Sequence, residues 1–266
     1  MGHRRREDAG KRLLDAARYK DRRMLSDALA EGPAKPRALA TALSVCAGSW
    51  LWGVRLLLRA GAPAGGPVAR PYDLPLVNAV RRGGIGGEAH VRALLAAGAS
   101  PNQLGSGGNT AIIEAGLSGR WRLIPALVEH GANVNHRNAR GETALTSAAA
   151  WRHLKAVRQL LNCGADPNLA DGRGGTALML AAQRGQVTVV QALLASGANP
   201  SQRDDCGNDA AMHARGWGRP RAERLLLRAV VVQAKHGNMK RGAFNGIMRN
   251  AAKNCGQRKK GGVGRR

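Results

Sequence analysis

Apolar residues along this chain fall in short stripes with helical spacing. Leu145, Ala148 and Ala149 occupy one such stripe, and Val157, Leu160 and Leu161 form a second after a brief polar break. This spacing places each set on one face of a helix. Thr143 stands just ahead of the first stripe, where a side-chain oxygen accepts from the unpaired N–H groups of a new helix. Gly164 stands where the second helix must end, a position that favours left-handed backbone. The segment 165–175, ADPNLADGRGG, is dense in turn-forming residues. The predicted unit is therefore helix, turn, helix and a hairpin-like loop.

The unit recurs. Thr110, Thr143 and Thr176 are evenly spaced, with Asp209 at the next step, and Gly98, Gly131, Gly164 and Gly197 keep the same period, as do Asn102, Asn135 and Asn168. GETALTSAAAWRHLKAVRQLLNCGADPN is followed in register by GGTALMLAAQRGQVTVVQALLASGANPS. These residues resemble the ankyrin repeat, whose period is about 33 residues. The likeness is closest over 105–203. At 71–104 the pairs Pro75-Leu76 and Gly98-Ala99 survive beside an extended RRGGIGGEAH turn, and 36–70 and 11–35 keep only the helix-pair pattern, the latter with Gly32 at its end.

The resemblance implies an all-α repeat fold, a solenoid of stacked helix pairs. The expected units are 11–35, 36–70, 71–104, 105–137, 138–170, 171–203 and 204–234. A basic arm is expected at 1–10 and a basic tail at 235–266. No single pair buries its own stripes, so the units must share one continuous core capped at both ends. The family's Thr-Pro-Leu-His signature stands here as Thr-Ala-Ile-Ile at 110–113, Thr-Ala-Leu-Thr at 143–146 and Thr-Ala-Leu-Met at 176–179. Loss of that histidine predicts a less rigid array than the family's consensus.

Aromatic residues make up only 3% of the chain, so Ala and Leu must fill the core, and small Ala side chains bring helices close. The formal charge of +25 is uneven: residues 235–266 hold ten basic residues and no acidic one. An acid-free cationic stretch predicts a polyanionic partner. The excess of Arg over Lys, with abundant Ala and Gly, is also what a GC-rich coding sequence produces, but codon bias does not remove acids from one stretch alone.

Candidate chemistry is sparse. The cysteines at 46, 163, 206 and 255 form no CxxC pair and no zinc spacing with a histidine, which reads as free thiols in a reducing compartment. No pair of the seven histidines makes a metal-binding motif, and GGIGGE at 83–88 lacks the lysine of a phosphate loop. No catalytic site, metal or cofactor is expected. The N-terminus shows no secretory apolar region; its Arg4-Arg5-Arg6 run resembles an organellar presequence but is interrupted by Glu7, Asp8 and Asp15, and Arg6 replaces the Ser or Thr of a myristoylation signal. The apolar run 51–58 contains Arg55 and is too short for a bilayer. The expected location is a reducing intracellular compartment: the cytosol, an organelle matrix such as that of the mitochondrion, or the nucleus.

Three features are candidate binding sites. Ser118, Trp151, Arg184 and Trp217 form a column in register near the ends of first helices, and the resemblance places that column toward the concave side. A Trp-Arg-Trp stripe suits protein contact or base stacking. Arg137, Arg140, Arg173 and Arg203 lie in the loops, where the family often meets partners. In the tail, Phe244, Ile247, Met248, Ala251 and Ala252 predict a short amphipathic helix over 243–254. Around it, Lys240, Arg241, Arg249, Lys253, Arg258, Lys259, Lys260, Arg265 and Arg266 are the expected phosphate contacts. The function these features predict is a scaffold docked on an RNA-containing assembly, such as a ribosomal subunit, with neighbouring proteins as further partners. The alternative is a free protein–protein adaptor whose tail is a localisation signal.

Overall fold

The computed structural model describes residues 2–31, 35–65, 74–82 and 87–236. Among them, fourteen α-helices pair into seven units. The pairs are α1 (Gly2–Tyr19) with α2 (Arg22–Ala30), α3 (Pro36–Ala47) with α4 (Leu51–Arg59), α5 (Pro75–Arg82) with α6 (Gly87–Ala96), and α7 (Ala111–Leu117) with α8 (Ile124–Glu129). Then come α9 (Ala144–Ala150) with α10 (Leu154–Asn162), α11 (Ala177–Gln183) with α12 (Val187–Ala195), and α13 (Ala210–Gly216) with α14 (Pro220–His236). First helices pack on first helices in unbroken succession from α1 to α13. Second helices line up behind them: α4 packs on α6, α6 on the single turn Trp121–Leu123 that leads into α8, and then α8, α10, α12 and α14 pack in turn. The architecture is an all-α solenoid of two helical layers.

Local chemistry sets the helix ends. Thr143 accepts from the Thr146 backbone while the Thr146 hydroxyl accepts from the Thr143 backbone at 2.8 Å, closing a reciprocal cap. Thr176 and Asp209 cap α11 and α13 by accepting from Met179 and Met212. Thr146 and Met179 occupy the register where the resemblance predicts a histidine, so the hydroxyl and, at 3.5 Å, the thioether take over a bond at that position. Thr110 departs from this: its hydroxyl is buried without a partner, because Ile113 offers no polar atom in return. Pro36, Pro75 and Pro220 each open a helix, where a missing N–H costs nothing. At the far end of the second helices Gly61, Gly98, Gly131, Gly164 and Gly197 all adopt φ between 81° and 85°. That region disfavours any residue with a Cβ.

The first-helix layer is tight because its contact residues are small. Ala115, Ala148, Ala181 and Ala214 recur in register and are all completely buried. A Cβ on Gly116 would sit 2.4 Å from the Ala144 carbonyl oxygen, so only Gly permits the spacing of α7 and α9. Leu145, Val157 and Leu160 are buried as predicted, whereas Leu161 is only partly covered and borders the outer surface.

Two hydrogen-bond ladders tie the loops of successive units. Asn102, Asn135 and Asn168 accept through Oδ1 from the backbone N–H of Asn133, Asp166 and Asn199 at 2.7–2.9 Å. At the loop tips the N–H groups of Ala139, Gly172 and Asp205 donate to the carbonyls of Gly107, Arg140 and Arg173. The asparagine period seen in the sequence is therefore an inter-unit clamp.

The ends of the array differ from the expected boundaries. Residues 2–10, read as an arm, are the start of α1, since nothing in that stretch up to Gly10 breaks a helix. At the other end α14 runs on to His236, burying Ala222, Leu226 and Val230 along one stripe while Arg221, Arg224 and Arg228 face outward. A polar outer face is what a terminal cap requires. The tail, its predicted helix over 243–254 and its nine cationic candidates lie outside the described residues.

Replacing Asn168 with Ala removes its bonds to Asn199 and to the Gly197 carbonyl. Both are exposed, so the expected loss is about 1 kcal/mol of unfolding free energy, read as a lower urea midpoint at unchanged slope.

Candidate interaction surface

In six of the seven units the turn joining the two helices lies among the described residues and has three positions. It consists of Tyr19-Lys20-Asp21, Gly48-Ser49-Trp50, Ser118-Gly119-Arg120, Trp151-Arg152-His153, Arg184-Gly185-Gln186 and Trp217-Gly218-Arg219. The first residue closes the first helix. The third leads into the second and, in three units, reaches back to the unit before. His153 Nε2 contacts the Leu117 carbonyl at 3.1 Å, Gln186 Nε2 donates to Ala149 at 3.0 Å, and Arg219 Nε donates to Gln183 at 3.4 Å. The middle residue has φ between 55° and 67° in every turn but that of Ser49.

Glycine fills that left-handed position at 119, 185 and 218. Lys20 and Arg152 fill it elsewhere, and among the described residues they are the only non-glycine residues with positive φ. Both are basic, and each bears a strain of about 1–2 kcal/mol that glycine would avoid.

Ser118, Trp151, Arg184 and Trp217 occupy one equivalent position, the C-cap of successive first helices. Trp151 and Trp217 are 60% and 59% exposed, and Tyr19, in the same place in the first unit, is 79% exposed. These are the exposed aromatic side chains of the described residues. Indeed all five Trp of the chain lie in these turns or within two residues of them. Trp50 and Trp52 have ring centroids 5.5 Å apart, and Arg22 lies over Trp52 at 4.8 Å. Arg122 and Lys155 lie over Trp121 at 5.2 and 5.6 Å. Among the described residues no cation lies over the rings of Trp151 and Trp217 in this way.

Sequence models of the ankyrin repeat, in its three-copy and many-copy forms, match residues 76–171 and 160–213. The chain belongs to the ankyrin-repeat family. Ankyrin-repeat arrays are protein–protein interaction scaffolds and are generally non-catalytic. No curated protein matches the chain.

The loop arginines are placed differently in this ankyrin array. They precede the first helices, whereas the Trp column ends them, so the two candidate sets lie at opposite ends of α9 and α11 and do not form one face. They also split between two registers, Arg137 with Arg203 and Arg140 with Arg173. Arg137 and Arg203 donate to the carbonyls of Gly141 and Gly207 within their own loops, and Arg140 pairs with Glu142 at 3.2 Å. These three guanidinium groups shape the loops; Arg173 is exposed without such a bond.

No group of three His, Cys, Asp or Glu among the described residues could hold a metal, and no helix there is long and apolar enough to cross a membrane. Cys46 is buried, which pushes its thiol up to about 12 and keeps it protonated, while Cys163 is half-buried and Cys206 exposed. The sequence reading found Trp151, Arg184 and Trp217 from their period. It missed Arg152, for which the available signal was a non-glycine residue at a register otherwise filled by glycine, and it missed Tyr19 and Arg219, which flank that register in the first and last turns.

Two outcomes follow. Arg152→Gly relieves the left-handed strain and is expected to stabilise the array by about 1 kcal/mol, seen as a higher urea midpoint. The second concerns Asp204. Burial raises its carboxyl, but the Asn208 N–H at 2.8 Å, the His213 ring and charge at 2.7 Å and the Cys206 N–H outweigh that and hold it below the ordinary 3.8. A carboxyl lowered on folding stabilises the fold above its unfolded value, and that contribution is lost as pH falls through the folded one. His213→Ala removes a support, so its acid unfolding midpoint, followed by circular dichroism, is expected at higher pH than that of the unaltered chain.

Proposed function

We propose that this ankyrin scaffold docks on an RNA-containing assembly and holds neighbouring proteins there, without catalysing a reaction. The observation that carries the reading is the ten basic residues of 235–266 with no acid among them. Such a stretch cannot neutralise itself and lowers its free energy by displacing counterions from phosphates. The turn arginines Arg152 and Arg184 add cations that no described carboxylate pairs. A ribosomal subunit, with dense phosphate and many protein neighbours, is an assembly of this chemistry.

A free protein–protein adaptor is the second reading. The exposure of Trp151 and Trp217 favours it, because large aromatic rings anchor protein interfaces. Gradient sedimentation of the endogenous protein separates the two. Migration with a heavy particle that RNase dissolves is expected, and deletion of 237–266 is expected to reduce that association. A small species indifferent to RNase would sink the RNA reading and leave the adaptor.

A further inference from the structure

The helix-to-helix turns of the last three units form a track that differs from the rest of the surface in three ways. It is cationic, it is aromatic, and part of it is strained. Arg152, Arg184 and Arg219 converge with Trp217 and Gln183 on a shallow groove of about 260 Å³. No described carboxylate lies within ion-pair distance of any of the three guanidinium groups. Three like charges on one groove repel one another, and an anion in the groove relieves that repulsion. One of them, Arg152, occupies a left-handed position where glycine serves the neighbouring units at no strain. Strain retained against an easy alternative is a mark of function.

The aromatic residues decide which anion. Along the row the order is Trp151, Arg184, Trp217, one residue per unit, with Arg152 and Arg219 beside the two rings. Units stacked at helix-packing distance place the two Trp about 20 Å apart. Cation and ring thus alternate from one unit to the next, an order that suits a polymer carrying both phosphate and base. Both Trp rings are open, whereas Trp121 in the preceding unit already carries Arg122 and Lys155. Single-stranded nucleic acid is held in this manner, by a basic groove along the backbone and aromatic rings under the bases. An acidic peptide offers the charge but has no need of uncovered rings at each second step.

We propose that this edge binds single-stranded nucleic acid, with bases stacked on Trp151 and Trp217 and phosphates held by Arg152, Arg184 and Arg219. The proposal rests on the RNA-docking reading but assigns the contact to the array rather than to the tail.

The test uses the full chain and a fluorescein-labelled oligouridine of about 16 nucleotides, the upper length that one small single-strand-binding domain covers. Fluorescence anisotropy is measured for the unaltered protein, a Trp151→Ala, Trp217→Ala variant, the corresponding Phe variant, and an Arg258→Gln, Lys259→Gln, Lys260→Gln tail variant. The Ala pair is expected to weaken single-strand binding at least about tenfold. The Phe pair retains most of it, and binding of a duplex of the same length is unchanged by either. Oligodeoxythymidine in place of oligouridine tells whether the sugar is read, and Trp-dependent binding of either strand supports the site. Single-strand binding that ignores the Trp pair but falls in the tail variant would overturn this site and leave the RNA-docking reading standing. No binding of any nucleic acid would end both. Equal, Trp-dependent binding of polyglutamate would overturn the site in favour of an acidic protein partner.

Discussion

Everything in this molecule depends on the fact that a pair of short helices cannot bury its own apolar face. A helix such as α9, with seven residues, is far below the length at which a helix persists alone in water. Its stability comes from Leu145, Ala148 and Ala149 meeting their equivalents on either side. That contact requires a fixed distance and a fixed rotation between units, and two ladders set both. The asparagine Oδ1 bonds hold the ends of the second helices, and the loop-tip bonds hold the starts of the first. The third point of support is the turn residue that reaches back, as His153 and Gln186 do. The units spanning 105–203 are thus pinned to one another at three corners, and each inherits the orientation of the one before.

Pinning of this kind divides each unit into residues that are committed and residues that are not. The small residues facing the next first helix are committed to packing. The glycines at φ above 80° are committed to ending the second helix. The residue that closes the first helix is committed to neither task, since its backbone is spent on the cap while its side chain stays exposed at Ser118, Trp151, Arg184 and Trp217. Ser, Trp, Arg and Trp all occur there without altering the fold. Freedom at one register, repeated in every unit, produces a row whose chemistry is set by something other than stability.

How much of this was legible in the sequence follows from the same division. Period-setting residues were readable because the committed positions repeat: Thr143, Gly164 and the three asparagines named the register before any coordinates. The helix-pair reading held into the weaker first units, where the turn glycine is replaced but the apolar spacing survives. The limits were also physical. The N-terminal arm was expected because arginines cluster there, yet arginine is a good helix former and α1 runs through it. The loop arginines were grouped as one candidate set because they lie in equivalent loops. Their hydrogen bonds to Gly141 and Gly207 show side chains folded back on their own loops. Arg152 was invisible because a single sequence does not announce a backbone angle; only the comparison with 119, 185 and 218 exposes it.

The placement of strain also follows from the one-dimensional character of the array. In a fold with one shared core, a strained backbone residue is offset by the whole domain. Here each unit contacts only its neighbours, so the strain at Arg152 must be offset by the interfaces of α9 and α10 with the units on either side. Those are the interfaces with the most complete set of bonds: the reciprocal cap of Thr143 and Thr146, the His153 and Gln186 bonds on either side of the turn, and asparagine clamps before and after. Lys20, the other strained cation, sits in the first unit and has neighbours on one side only, but α1 is far longer than the interior first helices. In both places the extra local support coincides with a left-handed cation on the same edge of the solenoid. Strain and its support are therefore parts of one arrangement, and the edge that carries them is the part of the molecule least explained by folding alone.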